Sequence, residues 1–91
     1  MHDVIDNAAA HRFELSEQGQ TAFADYVVQG DVLTLPHVEA PVGLRGTGAA
    51  ARLMEGLLGI VRERGQRVNP RCPYAAAYLE RHPEFADLRA G

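Results

Sequence analysis

The residues best suited to chemistry are gathered in Arg45-Gly-Thr-Gly-Ala-Ala50. They stand between an apolar, strand-like run and the longest helical stretch of the chain. A strand-to-helix turn brings unbonded backbone N–H groups to a helix N-terminus, and those groups bind anions. Gly46 and Gly48 let the backbone approach a ligand, because they have no Cβ to hold it off. Arg45 adds a forked, permanently charged donor that suits phosphate. Ala49, Ala50 and Ala51 keep the first helical turn slim and strongly helix-forming. The chemistry expected here is phosphate or pyrophosphate binding. No Gly-Lys-Ser/Thr follows the glycines, so the turn is not a P-loop. Ala51 stands where a dinucleotide fingerprint needs its third glycine. Taken alone, the two glycines are more simply an ordinary tight turn, since short glycine patterns are common.

Four other side chains have reactive chemistry. His37 and Glu39 are two apart near the end of a strand-like run, so they point the same way, and either could take a proton directly or through water. Singly, each is more simply read without chemistry, Glu39 as a solvated strand-end carboxylate and His37 as a half-buried hydrogen-bonded residue. Cys72 directly precedes Pro73, which suits the first position of a helix. A helix N-terminus favours negative charge on sulfur and so a reactive thiol, although a free Cys is usually a small packed hydrophobe. Tyr78 follows Tyr74 by one helical turn, which also describes a packed aromatic pair. Asp25 is either a strand partner or a site residue. His2, His11 and His82 have no metal-ligand spacing, so no metal is expected.

The elements that position these groups follow from periodicity. Residues 1–10 are polar or small and read as a loose end, with room for a short strand. Residues 12–16 alternate as a half-buried strand, and residues 17–20 turn. Residues 21–29 form a second strand, with Ala22, Ala24, Tyr26 and Val28 on one face and Phe23, Asp25 and Val27 on the other. Gly30-Asp31 is a hairpin signal. Residues 32–40 form a third strand, in which strict alternation puts Leu33, Leu35, His37 and Glu39 on one face. Pro36 lacks a ladder donor and predicts an edge, a bulge or a break there. A helix is expected over 47–64, with an apolar stripe of Ala50, Leu53, Met54, Leu57, Leu58, Ile60 and Val61. A short strand over 66–71 and a helix over 73–81 complete the order, and Pro83 ends the last helix. Phe85 and Leu88 are expected to tuck the tail onto the body. The fold class is α+β: an antiparallel meander, then a β-α-β crossover that sets the fourth of these strands parallel to the third, then a C-terminal helix.

Ninety-one residues make one domain with a thin core. The net charge of −3 argues against general nucleic-acid binding. All nine basic residues are Arg. A single cysteine excludes an intrachain disulfide and a Cys-rich zinc site. No apolar run approaches a membrane span and no signal pattern opens the chain, so a cytoplasmic protein that binds neither membrane nor nucleic acid is expected.

Several blocks together resemble a known family. They are Phe23-Ala-Asp-Tyr26, His37-Val-Glu-Ala-Pro41, Leu44-Arg-Gly-Thr-Gly48, Asn69-Pro-Arg-Cys-Pro-Tyr74, and the run from Tyr78 to Asp87. The set is similar to the compact, single-domain members of the GNAT N-acetyltransferase superfamily, across residues 11–91. Ala50 replaces a glycine often found there, which the superfamily pattern allows. The resemblance implies a truncated GNAT-like fold, without the final strands that in longer members help to build an acceptor pocket. It implies acetyl-CoA as co-substrate, with its pyrophosphate on the turn formed by Leu44, Arg45, Gly46, Thr47, Gly48, Ala49 and Ala50. It also implies a V-shaped opening between the parallel strands for the pantetheine arm. Backbone N–H groups near Val38 would polarise the acetyl carbonyl. Glu39 or His37 would deprotonate an amine acceptor, and Tyr78 or Cys72 would meet the thioester and serve the departing thiolate. The alternatives are a non-enzymatic acyl-CoA binder or sensor, and a small interaction domain.

Overall fold

The computed structural model describes residues 3–90, so the N-terminal Met1 and His2 lie outside it, and with them the reading of His2 as a non-ligand. Five strands form one sheet in the order of the chain: β1 (Ile5–Asn7), β2 (Arg12–Glu17), β3 (Gln20–Gln29), β4 (Val32–Glu39) and β5 (Arg67–Pro70). The first four are antiparallel, and β5 runs parallel to β4 after the helix α1 (Ala49–Glu63). A second helix, α2 (Pro73–Arg81), follows β5, and a 3-10 segment, Pro83–Leu88, closes the chain onto the core. The meander, the crossover and the C-terminal helix stand as the sequence predicts.

One face of the sheet is apolar and takes α1. Phe13, Leu15, Ala22, Ala24 and Tyr26 are buried there against Leu53, Leu57, Leu58 and Val61 of α1. Ala75, Tyr78 and Leu79 of α2 and Leu88 of the tail join the same core. The helix begins two residues later than its periodicity predicts, because Gly48 has φ +85° and cannot be helical. It ends in a Schellman motif: Gln66 N–H bonds the Val61 carbonyl at 3.0 Å and Gly65 N–H the Arg62 carbonyl at 3.1 Å. That motif occupies Gln66, so β5 starts at Arg67.

Strict alternation fails in β4. Asp25 pairs with His37 and Val27 with Thr34, so Tyr26 is opposed by two residues, Leu35 and Pro36. This is a bulge, and it shifts the period by one. Leu33 and Leu35 face the core before it, and Val38 and Ala40 pack on the core after it. His37 and Glu39 are therefore turned to the opposite, open face, beside Phe23 and Asp25, and do not share a face with Leu33 and Leu35. Val28 is also 52 % exposed, because β2 begins at Arg12 opposite Asp25 and leaves the end of β3 without that neighbour.

A polar link fastens β1 across the core edge. The Tyr26 hydroxyl donates to Asp6 Oδ1 at 2.6 Å, and Arg64 Nη1 donates to Asp6 Oδ2 at 2.7 Å. Burial, then the bond to Asp6, push the Tyr26 phenol up to about 12. The folded state holds this proton more tightly than the unfolded chain, whose phenol titrates near ~10. The contribution is complete below that pH and fades as pH rises to about 12. Tyr26→Phe is thus expected to be less stable than the parent near neutrality, with the gap narrowing from pH ~9 to ~12 in denaturant titrations. A gap independent of pH would rule this link out as the cause.

Candidate active site

The turn from Arg45 to Ala50 is built in two steps from the end of β4. A single 3-10 turn, Val42–Leu44, seats Leu44 in the interior at 1 % exposure. Its carbonyl then accepts from the Thr47 N–H at 3.2 Å and the Thr47 hydroxyl at 2.6 Å. The same hydroxyl accepts from the Ala49 N–H at 3.3 Å. Thr47 thus holds the turn together and spends its hydroxyl within it. Gly46 and Gly48, at φ +79° and +85°, make the two left-handed steps that aim the chain into α1. The N–H groups of Ala50 and Ala51 are left without an intrahelical acceptor, as in any first turn.

A cleft of about 280 Å³ opens over this turn, lined by Ala40, Leu44, Arg45, Gly46, Gly48, Ala49, Ala50, Ala51 and Tyr74. Arg45 makes no ion pair among the described residues, whereas Arg12, Arg52, Arg62 and Arg64 each hold a carboxylate. The cleft therefore carries a cation not already satisfied by the protein. Tyr74 and Ala40 are members that sequence reasoning does not place here. Helical spacing fixes the separation of Tyr74 and Tyr78 but not which of them faces the head of another helix.

Beside the cleft, β4 and β5 part. Their pairing ends at Leu35 with Pro70. The Leu35 carbonyl then accepts from both Arg71 N–H at 3.1 Å and Cys72 N–H at 2.9 Å, while β4 runs on to Glu39 without β5 beside it. Pro36 offers no N–H and sits in the bulge, so the ladder cannot continue through it. Alternate backbone groups of the run around Val38 consequently face a gap.

The other predicted side chains, His37, Glu39, Cys72 and Tyr78, do not line the cleft. Cys72 directly precedes α2 and is 7 % exposed, within the core. Tyr78 is also buried, with its ring stacked on His82 at 3.8 Å between centroids. The Tyr78 carbonyl can only accept, so the 2.8 Å contact puts a proton on His82 Nδ1. Burial, and then the charges of Glu55 and Glu84, raise the Tyr78 phenol above its usual range. Neither Cys72 nor Tyr78 lines the cleft. On the open face, His37 Nε2 and Glu39 Oε1 are 2.8 Å apart, with both side chains 51 % exposed. A carboxylate only accepts, so Nε2 carries the proton of this contact and donates it. Among the described residues, no three of His, Cys, Asp and Glu are grouped to hold a metal ion, and no helix is long and apolar enough to cross a membrane.

The architecture has known counterparts. Residues 12–88 match the family model described as GCN5-related N-acetyl-transferase. The NMR solution structure of a GCN5-like candidate N-acetyltransferase from Staphylococcus aureus is similar over 98 % of this chain and 88 % of its own, with a TM-score of 0.69 and 18 % sequence identity. At that identity the likeness is one of fold. No curated protein matches the chain. The matched stretch runs from β2 past α2 and takes in the turn, the gap and the His37–Glu39 pair, so the chain belongs to the GCN5-related N-acetyl-transferase family.

Proposed function

We propose that the protein binds acetyl-CoA over the Arg45–Ala50 turn and transfers the acetyl group to an amine. One observation carries this reading. Arg45, without an ion-pair partner among the described residues, stands beside a slim, glycine-led helix start at the mouth of the gap between β4 and β5. Arg45, the backbone around Gly46 and Gly48, and the first N–H groups of α1 would hold the pyrophosphate. Acetyl-CoA supplies an activated thioester. The unpaired edge of β4 near Val38 presents N–H groups to a carbonyl in the gap. The His37–Glu39 pair stands on the sheet face away from α1, so the amine approaches from that side and loses its proton there. Tyr78, kept protonated by burial, is the proton donor for a departing thiolate, with Cys72 the other candidate.

A second reading keeps the binding and drops the chemistry: an acyl-CoA binder or sensor. The half-exposed setting of both members of the base pair favours it, since a base in water is less poised than one in a closed pocket. Calorimetric titration with acetyl-CoA, CoA and adenosine diphosphate, followed by a panel of amines, separates the readings. Micromolar or tighter binding of CoA, about −8 kcal/mol, is expected. No binding of any of the three would remove both and leave a small interaction domain.

Cys72 has its own test. Bound CoA is expected to slow its alkylation by iodoacetamide, because the thiol sits where β5 leaves the gap. A rate indifferent to CoA would assign Cys72 to packing alone, and Cys72→Ala would then lower stability without lowering turnover.

A further inference from the structure

We propose that Arg52 is a positioning residue for the phosphate cradle: it grips the Thr47 carbonyl and thereby holds the left-handed turn at Gly48 in its anion-binding shape. The inference rests on reading that turn as the coenzyme phosphate site.

Arg52 lies one turn into α1, and its N–H closes the first helical bond, to the Gly48 carbonyl at 3.0 Å. Its side chain folds back toward the turn. Nη1 donates to the Thr47 carbonyl at 3.0 Å, while Nε and Nη2 donate to the two oxygens of Glu17 at 2.9 and 2.7 Å. Glu17 ends β2, thirty-five residues away, so the β2–β3 hairpin fixes the fork that fixes the turn. A Cβ on Gly48 would lie 3.0 Å from Arg52 Nη1, so the bare glycine leaves the guanidinium unhindered where it meets the carbonyl. The hairpin meets the turn's approach a second time, where Gln20 covers Gly43 so closely that no Cβ would fit without moving it.

The arrangement does little for folding. Arg52 and Glu17 are 48 % and 27 % exposed, and exposed pairs of this kind add little stability. Arg52 is also a poor direct anion contact, because Glu17 already takes two of its donors. Three bonds on one planar fork instead fix an orientation, and the group oriented is a carbonyl of the cradle itself.

Two variants separate positioning from direct attraction. Arg52→Met keeps much of the length and removes the fork. It is expected to weaken CoA roughly tenfold at a temperature well below its unfolding midpoint, the scale of one charged hydrogen bond. Glu17→Gln keeps the Arg52 charge but frees it from its anchor. If Arg52 attracted phosphate directly, Glu17→Gln would bind CoA more tightly. Positioning predicts weaker binding, by several-fold, with shifted amide resonances at Gly48 and Ala49 in the free protein. Arg52→Lys, which keeps a charge and a donor, is expected to recover part of the loss. Unchanged or tighter CoA binding by Glu17→Gln overturns the proposal, as does Arg52→Met binding like the parent. Should Arg52→Met not fold, Glu17→Gln decides alone. A parent that binds no CoA would instead refute the cradle reading itself.

Discussion

Replacing Glu39 with Gln is expected to lower amine acetylation by ~10²-fold or more, within the range a general base supplies, while acetyl-CoA affinity stays within a few-fold. An amine with a pKa near ~10.4 is mostly protonated at neutral pH, and only its neutral form attacks. The base is therefore needed for turnover and not for binding. The 2.8 Å contact between His37 Nε2 and Glu39 Oε1 ranks the two substitutions. Glu39→Gln removes one candidate base outright and deprives the imidazole of the carboxylate that orients it. His37→Gln leaves the carboxylate whole, so its loss is smaller. Part of the Glu39→Gln deficit should return as pH rises and free amine accumulates. Full turnover by Glu39→Gln across the pH range would place the base elsewhere. Tight acetyl-CoA binding without acetylation of any amine would favour the binder.

The second large effect is expected at Gly48. A valine there meets two obstacles: a φ of +85°, which β-branched residues avoid, and a Cβ 3.0 Å from Arg52 Nη1. Left-handed strain of ~1–3 kcal/mol is relieved only if the turn rearranges, and then the N–H groups lose their aim. CoA affinity should fall roughly tenfold to a hundredfold. Gly46→Ala has a similar φ, +79°, but its Cβ meets nothing within 4 Å, so its loss should be smaller. Arg45→Ala removes one side-chain contact and should also cost less than Gly48→Val. Calorimetry on the folded variants measures all three. Equal affinity in Gly48→Val and the parent would dismiss the cradle.

Much of this arrangement is legible in the amino-acid sequence. Hydrophobic period locates β2, β3, β4, α1 and α2, and Gly65 and Pro83 mark helix ends, because these signals are local. Pro36 announces an interruption for the same reason. The side to which the interruption sends His37 and Glu39 is not legible, since it depends on how many residues oppose Tyr26, a matter of pairing with another strand. The grip of Glu17 on Arg52 is hidden likewise: it joins two polar surface residues far apart in the chain, and periodicity says nothing about such pairs. The place of Tyr74 in the cleft follows from the direction of α2, which only packing against the rest of the fold decides.

The bulge in β4 also guards the sheet against closing on itself. A regular strand would keep one rhythm from Leu33 onward, which would drive His37 and Glu39 under the helices and push Val38 and Ala40 into water. Burying that imidazole and carboxylate without new partners would cost several kcal/mol, by the ~1–3 kcal/mol or more that each unpaired polar group carries. Straightening the strand is therefore opposed by the hydrophobic core, and not only by the missing N–H of Pro36. The aperture and the correct sorting of side chains stand or fall together. A substitution such as Pro36→Val restores a donor but leaves that opposition in place, so the gap should outlast the loss of its proline.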